Sequence, residues 1–266
     1  MKNNLISIII VTWNTAEITL QCVNSINKHL KNQDYEIIIV DNNSTDNTKD
    51  LLSSKVLTYI KNSENLGFSK ANNIGAKAAK GDIYLFLNSD MKLIDNSIIE
   101  MKKYLESNDK IGIIGPQLLN SDLSIQASVF PKQTITGAFL EFWLKRKHKF
   151  SKYVPLGKTP QMVNAISGGA AMIKKEIFEA VGGWNERYFF YYEDLDLCRT
   201  IQKRGLLVYY FPQSRIIHYH GQSGKNITNS NNQWKRLIPS SIIYHGYFKH
   251  LLLTAVLWLG QKIPKH

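Results

Sequence analysis

Residues Ile83–Asp90 read IYLFLNSD, an apolar run that ends abruptly in Asn88, Ser89 and Asp90. An apolar run without polar alternation is typical of a strand that is buried on both faces of a parallel sheet. In open α/β sheets, ligands bind just outside the carboxyl ends of such strands, so Asp90 is expected at a ligand site. A carboxylate there can hold a divalent metal ion, which in turn can hold a diphosphate. The alternative is a turn or helix cap before residues 96–108.

The segments on both sides of this run alternate between strand and helix patterns. Strands are predicted at Ile6–Thr12, Tyr35–Val40, Val56–Ile60, Ile83–Leu87, Ile111–Leu118, Ala170–Ile173 and Leu206–Phe211. Helical patterns fall between most of them, and Glu193 opens a helix that runs to about Arg204. This alternation predicts an α/β fold in which helices flank a Rossmann-like, mostly parallel sheet. Residues 120–165 give a weaker pattern that is typical of loops.

The charge of the 266-residue chain restricts the classes of partner. Its 33 Lys and Arg residues against 21 Asp and Glu residues give a net charge of +12, which favours phosphates, nucleic acid or a membrane surface. A basic cluster is interleaved with aromatic residues: Lys145, Arg146, Lys147, Lys149 and Lys152 beside Phe142, Trp143, Phe150 and Tyr153. This composition suits single-stranded nucleic acid or a membrane interface. A solvated basic face is the alternative.

The segment Ile242–Gly260 is the most hydrophobic long stretch, although His245, Lys249 and His250 interrupt it. Its clean apolar run, Leu251–Gly260, is about half of the ~20 residues that a membrane span needs. A helix lying in the membrane interface is therefore predicted, with the basic cluster as a second attachment signal. A C-terminal helix packed on the core is the alternative.

Acidic residues end two of the predicted strands, at Asp41 and Asp90, but the usual nucleotide signatures are missing. No G-x-G-x-x-G follows the first strand, and neither G-x-x-x-x-G-K-[ST] nor G-x-S-x-G occurs. Their absence argues against a dinucleotide-dependent dehydrogenase, a P-loop NTPase and an α/β-hydrolase. Nucleotide binding by acidic strand ends and a metal ion remains. A second acidic pair, Glu193-Asp194, opens a helix, where negative charge also has a common structural role.

Five segments follow one another along the chain: Ile8–Asn14, Ile39–Asp46 (V-D-N-x-S-x-D), Asn65–Gly75 (N-x-G-F…N-x-G), Leu87–Asp90 (the D-x-D-like position) and Gly182–Leu197 (G-G-[FW]-[DN]-E…E-D-x-D-L). In this order they resemble the motifs of the family 2 glycosyltransferases, which are inverting enzymes of the GT-A fold. The resemblance covers residues 6–199 and is greatest to the rhamnosyltransferase-like branch of cell-surface polysaccharide synthesis.

The resemblance implies a role for each matching residue on the donor side. Asp41 would accept hydrogen bonds from the donor's base, and Thr12 and Asn14 would line that pocket. Gly67 and Asn73 would lie beside the base and ribose.

The resemblance also implies a divalent metal ion. Asp90 would bind Mg²⁺ or Mn²⁺, which bridges the donor diphosphate. At the first acidic position of the D-x-D motif this chain has Asn88, so a single carboxylate leaves a looser metal site. Asn88 itself would contact the donor nucleotide. His220 is similar to a late H-x-x-G-x-S element and is expected to reach the metal or the diphosphate. Only one of His218 and His220 is expected to face the site, and His220 is assigned that role.

The Glu193-Asp194 pair is implied to perform the chemistry. Asp194 would be the general base that takes the proton of the acceptor hydroxyl. Glu193, beside it, would contribute to catalysis and to acceptor binding, and its charge would raise the pKa of Asp194. Trp184 is expected to stack on a sugar face of the acceptor, with burial in the core as the alternative.

Together these features predict a GT-A domain over residues 1–225, with a nucleotide-binding half at 1–118 and an acceptor half at 119–225. Residues 226–266 are predicted to form a helical extension. The implied activity is inverting transfer of a sugar, with rhamnose as one candidate, from a nucleotide-diphosphate donor to a glycan or polyprenyl-diphosphate-linked acceptor. The two distant cysteines indicate a reducing compartment, so the expected location is the cytoplasmic face of the cell membrane.

Two alternatives remain at the level of sequence. One is a nucleotide-sugar-binding protein without transfer activity, which Asn88 leaves open. The other is a nucleic-acid-binding module, which the sequence pI of about 9.5 suggests. The second explains none of the acids at the strand ends, so no nucleic-acid partner is predicted.

Overall fold

A central sheet organises the chain. A computed structural model describes residues 5–56, 58–219 and 233–262, without the side chains of 233–236 and 261. The strands are β1 Ile6–Thr12, β2 Tyr35–Asp41, β3 Thr58–Lys61, β4 Ile83–Leu87, β5 Met91–Leu93, β6 Ile111–Leu119, β7 Ile125–Gln126, β8 Val129–Phe130, β9 Gln161–Met162, β10 Ala165–Ile166, β11 Ala170–Lys174 and β12 Leu207–His218.

The strand order is β3-β2-β1-β4-β11-β6-β12-β5. Strands β1 to β4 pair in parallel, and β6 pairs in parallel with β12. Strand β11 is antiparallel to both β4 and β6. The prediction of a mostly parallel sheet is therefore confirmed. The predicted halves, 1–118 and 119–225, share this single sheet, because β11 lies between β4 and β6.

Helices cover both faces of the sheet. They are α1 Ala16–His29, α2 Thr48–Leu52, α3 Gly67–Ala78, α4 Ile98–Glu106, α5 Ile135–Phe142, α6 Lys175–Ala180, α7 Glu193–Lys203, α8 Gln233–His245 and α9 Tyr247–Gln261. Helices α1, α2 and α4 pack into the core on one face, and α3, α6 and α7 pack into the core on the other. Strand β4 is buried at every position, and each such aliphatic side chain contributes about 1.5–3 kcal/mol.

Three elements differ from the sequence prediction. Strand β12 continues beyond Phe211 to His218, across a register shift that its pairing with β6 absorbs between Phe211 and Arg215. Strand β5 follows Asp90 directly and pairs with the end of β12. Helix α5 lies inside residues 120–165, where loops were predicted. Each of these segments is short or polar in places, so its periodicity is weak.

The C-terminal helices α8 and α9 pack on the domain with one face. The indole Nε1 of Trp143, which follows α5, donates to the carbonyl of Val256 at 2.9 Å. The hydroxyl of Ser240 donates to the carbonyl of Phe190 at 2.8 Å, and Leu253 is only 2% exposed. The face of these helices that contacts the domain therefore matches the alternative of a C-terminal helix packed on the core. Within the described residues, none of the helices combines the length and the apolar character that crossing a membrane requires.

Candidate active site

The carboxyl end of β4 places Asn88, Ser89 and Asp90 at the centre of one edge of the sheet. The amide of Asn88 donates to the carbonyl of Gly169 at 2.8 Å, so β4 continues its pairing with the strand that begins at Ala170. Asp90 has no exposed surface, and its carbonyl accepts from the amide of Tyr219 at 2.9 Å. The polar cluster is thus held between two neighbouring strands.

His218, at the end of β12, is the histidine that the structure places at Asp90. Its Nε2 lies 3.4 Å from Oδ1 of Asp90. Its Nδ1 lies 2.7 Å from Oε1 of Gln126. The amide nitrogen of Gln126 donates to Asn120 at 2.8 Å, which orients the Gln126 oxygen as the acceptor. Nδ1 of His218 is therefore the donor in this pair, and Nε2 is directed at Asp90.

A buried carboxylate and a histidine whose other ring nitrogen is held by an acceptor are both typical metal ligands. Among the described residues no group of three or more His, Cys, Asp or Glu side chains forms a complete metal site. A metal that also binds substrate phosphates needs only one or two protein ligands, so the residues present fit such an ion. The predicted ligand His220 lies outside the described residues.

The turn Ser167-Gly168-Gly169 connects this strand end to the predicted general base. The amide of Gly168 donates to Oδ2 of Asp194 at 3.2 Å, and the next residue, Gly169, accepts from Asn88. A Cβ on Gly168 would lie 3.2 Å from the Cβ of Asp194, and one on Gly169 would lie 2.9 Å from Met91. Sequence reasoning missed both glycines, although two adjacent glycines before an apolar strand are a signal of close backbone approach.

The Glu193-Asp194 pair is presented by a strained backbone. Tyr191 and Tyr192, which precede it, have φ values of +73° and +68°. Non-glycine residues rarely occupy this left-handed region, and such strain clusters at functional sites. The segment is held from both sides, because the amide of Phe68 donates to Phe189 at 2.9 Å and Ser240 donates to Phe190. The two carboxylates therefore stand in a fixed position at the start of α7.

Burial alters the acidity of both carboxyl groups. Burial, and then the charge of Asp194, raise the pKa of Glu193 to about 8. Burial also raises the pKa of Asp194, while Lys152 and the amides of Gly168 and Leu195 oppose that rise. At neutral pH Glu193 holds a proton more readily than an ordinary carboxyl group. Asp194, with two amide donors on its oxygens, is the member of the pair suited to be the base.

The raised pKa of Glu193 makes stability depend on pH. Below the ordinary value of 4.5 both the folded and the unfolded chain carry the proton, and the folded form keeps it up to about pH 8. Stability is therefore lost as pH rises through this window. Glu193→Gln has no proton to lose, so its melting temperature should rise relative to wild type between about pH 5 and 9, reflecting a free-energy difference on the order of a few kcal/mol at most.

Thermal denaturation across that pH range measures this difference. The exposed residue Glu64 provides the matched control, since Glu64→Gln should follow wild type throughout. A difference between Glu193→Gln and wild type that does not change with pH would contradict the burial of an ionisable group at this position.

The predicted donor residues divide into two groups. A narrow cleft at the ends of β1 and β4 is lined by Thr12, Gly67 and Asn88, together with Asn42 and aromatic side chains. Gly67 has a φ of +79°, and a Cβ on it would lie 2.5 Å from the carbonyl of Phe189. Only glycine fits there. These three predicted residues are brought together.

The other predicted donor residues lie next to this cleft and hold its loops. Oδ1 of Asn14 accepts from the amide of Thr45 at 2.7 Å. Asp41 is fully buried; its Oδ1 accepts from the amide of Ser44 at 2.8 Å, and its Oδ2 accepts from the hydroxyl of Tyr59 at 2.6 Å. Both residues tie the loop after β2 to its neighbours. In this structure they support the cleft and do not line it.

Asn73 and Trp184 form a second support on the far side of the site. Asn73 accepts from the amide of Trp184 at 3.0 Å and donates to its carbonyl at 2.8 Å, so it does not line the donor cleft. Trp184 is 1% exposed and packs edge-on against Phe68 and Phe86. Its ring has no face open to a sugar, and this corresponds to the core alternative. A motif does not reveal which side of a loop an aromatic side chain faces.

A larger cavity, of about 370 Å³, opens on the other side of the carboxylate pair. Glu193, Asp194 and Lys152 lie at its polar end. Aromatic and aliphatic residues line most of the rest; they come from α5, α8, α9 and the pair Tyr191-Tyr192, among others. The site thus has a narrow cleft at Asn88 and a wider cavity at Asp194, with the Gly168-Gly169 turn between them.

Comparison with known proteins identifies the family. A family model described as Glycosyl transferase family 2 matches residues 7–182. The chain belongs to glycosyl transferase family 2. A second model, Glycosyl transferase family group 2, matches residues 124–262. Family 2 membership confirms the resemblance inferred from the ordered motifs.

Family 2 relatives include two rhamnosyltransferases. The dTDP-rhamnosyl transferase RfbF of Shigella flexneri is 28% identical over 233 residues, 86% of this chain and 74% of that protein. The N-acetylglucosaminyl-diphospho-decaprenol L-rhamnosyltransferase of Mycobacterium tuberculosis is 24% identical over 206 residues, 70% of this chain and 67% of that protein. The O-antigen biosynthesis protein RfbC of Myxococcus xanthus is 27% identical over 224 residues, 82% of this chain. The matched region is only 17% of the length of RfbC.

The family 2 fold is also found among solved structures. The mannosyltransferase PcManGT of Pyrobaculum calidifontis, in complex with GDP-Man and Mn²⁺, superposes with a TM-score of 0.61 at 16% identity. The match covers 97% of this chain and 70% of that one. At this identity the likeness establishes the fold, and the GT-A prediction is confirmed.

Proposed function

We propose that this chain is an inverting glycosyltransferase that moves a sugar from a nucleotide-diphosphate donor to a hydroxyl group. The observation that carries the proposal is the Gly168-Gly169 turn, which joins the amide of Asn88 at the donor cleft to the carboxylate of Asp194. A donor-binding strand end and a general base are thereby fixed on opposite sides of one dipeptide. An inverting displacement needs the leaving group and the base on opposite sides of the anomeric carbon.

The chain's own residues account for the proton in this reaction. The acceptor oxygen forms a bond to the anomeric carbon while the bond from that carbon to the diphosphate breaks. Asp194 takes the hydroxyl proton as general base. The raised pKa of Glu193 keeps that neighbour largely neutral, so a second negative charge does not stand beside the base in the wider cavity.

A divalent ion, Mg²⁺ or Mn²⁺, is proposed to be held by Asp90 and His218. When bound, such an ion neutralises negative charge on the leaving diphosphate. Gln126 fixes the ring of His218 for that role through the contact at Nδ1. Support comes from the donor atoms themselves and from the Mn²⁺ present with the mannosyltransferase PcManGT.

The proposed acceptor is a glycan carried on a polyprenyl diphosphate, at the cytoplasmic face of the cell membrane. Exposed apolar side chains cover the outer face of α9, with Phe248 at 82% and Leu252 at 59% exposed. Lys145, Arg146 and Lys149 lie just beyond α5, which packs on α9. An apolar face beside basic residues suits the interface of an anionic bilayer.

Sedimentation with anionic vesicles checks the membrane contact. Phe248→Glu is expected to move the chain from the vesicle pellet to the supernatant, because it places a charge where apolar contact is proposed. Leu123→Glu, at an apolar residue between β6 and β7 that is 59% exposed, is the control and should still pellet. Loss of both variants from the pellet, or of neither, would contradict this surface.

The donor class is tested with a panel of UDP-, GDP- and dTDP-sugars, each with and without Mn²⁺. We expect one of them, with dTDP-rhamnose the first to examine, to raise the melting temperature and to release its nucleoside diphosphate when a lipid-linked acceptor is added. Binding of a donor without release, with N-acetylglucosaminyl-diphospho-decaprenol present, would favour a nucleotide-sugar-binding protein. Binding of no nucleotide would overturn the proposal.

A further inference from the structure

The lining of the cavity beside Glu193 and Asp194 combines charged and apolar side chains. The charged side chains are the two carboxylates and Lys152, whose ammonium lies 4.8 Å from the centre of the Phe130 ring. Its other walls are mainly apolar, with Phe142, Phe150, Leu237 and Leu257 beside the polar side chains of Gln133, Ser151, Tyr191 and Tyr192. A site for a sugar alone would need hydrogen-bonding groups along its walls, because every hydroxyl group that it buries requires a partner.

Gln133, one of the polar side chains of the walls, is already engaged. The amide nitrogen of Gln133 donates to the carbonyls of Phe150 and Pro131, at 2.9 and 3.1 Å. These donors therefore tie the segment before α5 to Phe150 of the basic cluster instead of facing the cavity. An apolar ligand portion is the better match for this part of the cavity.

The helices that wall the cavity also carry the outer apolar face. Helix α9 turns Leu257 toward the cavity, while the adjacent Trp258 is 57% exposed and Leu259 is 43% exposed on its outer side. Leu237 of α8 lines the cavity and is itself 39% exposed. A chain that leaves the cavity between these helices thus meets an apolar surface and not water, which lowers the cost of extending it.

We propose that this cavity binds the first isoprene units of a polyprenyl-diphosphate-linked acceptor. Lys152 contacts the acceptor's diphosphate, and the sugar hydroxyl faces Asp194. The volume of about 370 Å³ holds only the start of such a chain, so the rest follows the outer face of α9 into the lipid. This inference rests on the proposed function, because it assigns a subsite to the same reaction.

Farnesyl diphosphate is a water-soluble probe for this subsite. Its affinity is measured by calorimetry in the presence of a saturating concentration of the nucleoside diphosphate that the donor panel selects, which keeps the probe out of the donor cleft. Farnesyl diphosphate should bind at least about tenfold more tightly than pyrophosphate or farnesol, because only the intact probe uses both ends of the cavity.

Two variants and one control locate the binding. Leu237→Gln and Lys152→Gln, both at partly exposed positions that tolerate polar residues, should weaken farnesyl diphosphate about fivefold or more. Leu252→Gln, on the outer face of α9, should bind the soluble probe as wild type does. Equal affinity for farnesyl diphosphate and pyrophosphate, or equal weakening by Leu237→Gln and Leu252→Gln, would overturn the subsite.

The donor panel separates this outcome from failure of the proposed function. If wild type binds its nucleotide-sugar but not the isoprenoid, only the proposed lipid subsite is overturned. If it binds neither ligand, both proposals are overturned.

Discussion

Asp194→Asn is expected to reduce the rate of sugar transfer by about 10²–10⁴-fold, the range that a positioned general base contributes. Asparagine has nearly the same shape but cannot accept the proton of the acceptor hydroxyl. One amide contact must change, because Asp194 accepts from both Gly168 and Leu195, and we expect this to cost about 1 kcal/mol of stability. The affinity for the donor should remain, since the carboxylate does not line the donor cleft.

The matched control for this variant is Asp196→Asn, two residues along the same helix. Asp196 accepts from Asn185 at 2.9 Å and pairs with Arg199, so its role is to hold α7 against its neighbours. We expect Asp196→Asn to lower the melting temperature and to leave kcat within a few-fold of wild type. Steady-state kinetics at a saturating donor concentration distinguish the two. An Asp194→Asn variant that is folded and transfers sugar at a normal rate would exclude this residue as the base.

Asp90→Asn is expected to lower transfer by at least about 100-fold and to remove its response to Mn²⁺ and Mg²⁺. Loss of a residue that only supports a metal ligand typically costs 10–100-fold, and loss of a ligand should cost at least as much. The donor should also bind more weakly, because its diphosphate would lose the ion that holds it. Metal titrations of transfer and of donor-induced thermal shift measure both effects.

Two further variants show whether the Asp90 effect is specific. Asp82→Asn, next to the opposite end of β4, alters a carboxylate outside the site and should keep the metal response. Gln126→Ala should retain transfer but require a higher metal concentration, because His218 loses the acceptor that orients its ring. Transfer by Asp90→Asn with an unchanged metal dependence would contradict the proposed metal site.

The part of the fold that rests on long apolar runs was predictable from sequence. Strands β1, β2 and β4 are buried on both faces, so each contains four or five consecutive apolar residues with no competing helical pattern. Strand β5 was not predictable, because its three residues alternate as buried, exposed, buried and gain their stability from pairing with β12. The antiparallel orientation of β11 also has no local signal.

Site residues were predictable from sequence where the side chain's own chemistry determines its role. They were less predictable where burial and neighbouring loops determine which way the side chain faces. Asp194 and Asp90 are carboxylates at the ends of clear elements, and the fold brings them to one edge. Trp184 and Asn73 belong to the same motifs, yet Trp184 is buried and Asn73 bonds to its backbone. His218 and His220 cannot be told apart by alternation, because residues two positions apart share one face of a strand.

The central claim is direct displacement at the anomeric carbon by an acceptor that Asp194 deprotonates. Its most direct test is the anomeric configuration of the glycoside that wild-type enzyme forms from the donor selected in the panel, read by NMR coupling constants. Inversion, together with release of one nucleoside diphosphate per linkage formed, is the result we predict. Retention of the donor's configuration would contradict the account, because a single base and a single displacement cannot produce it.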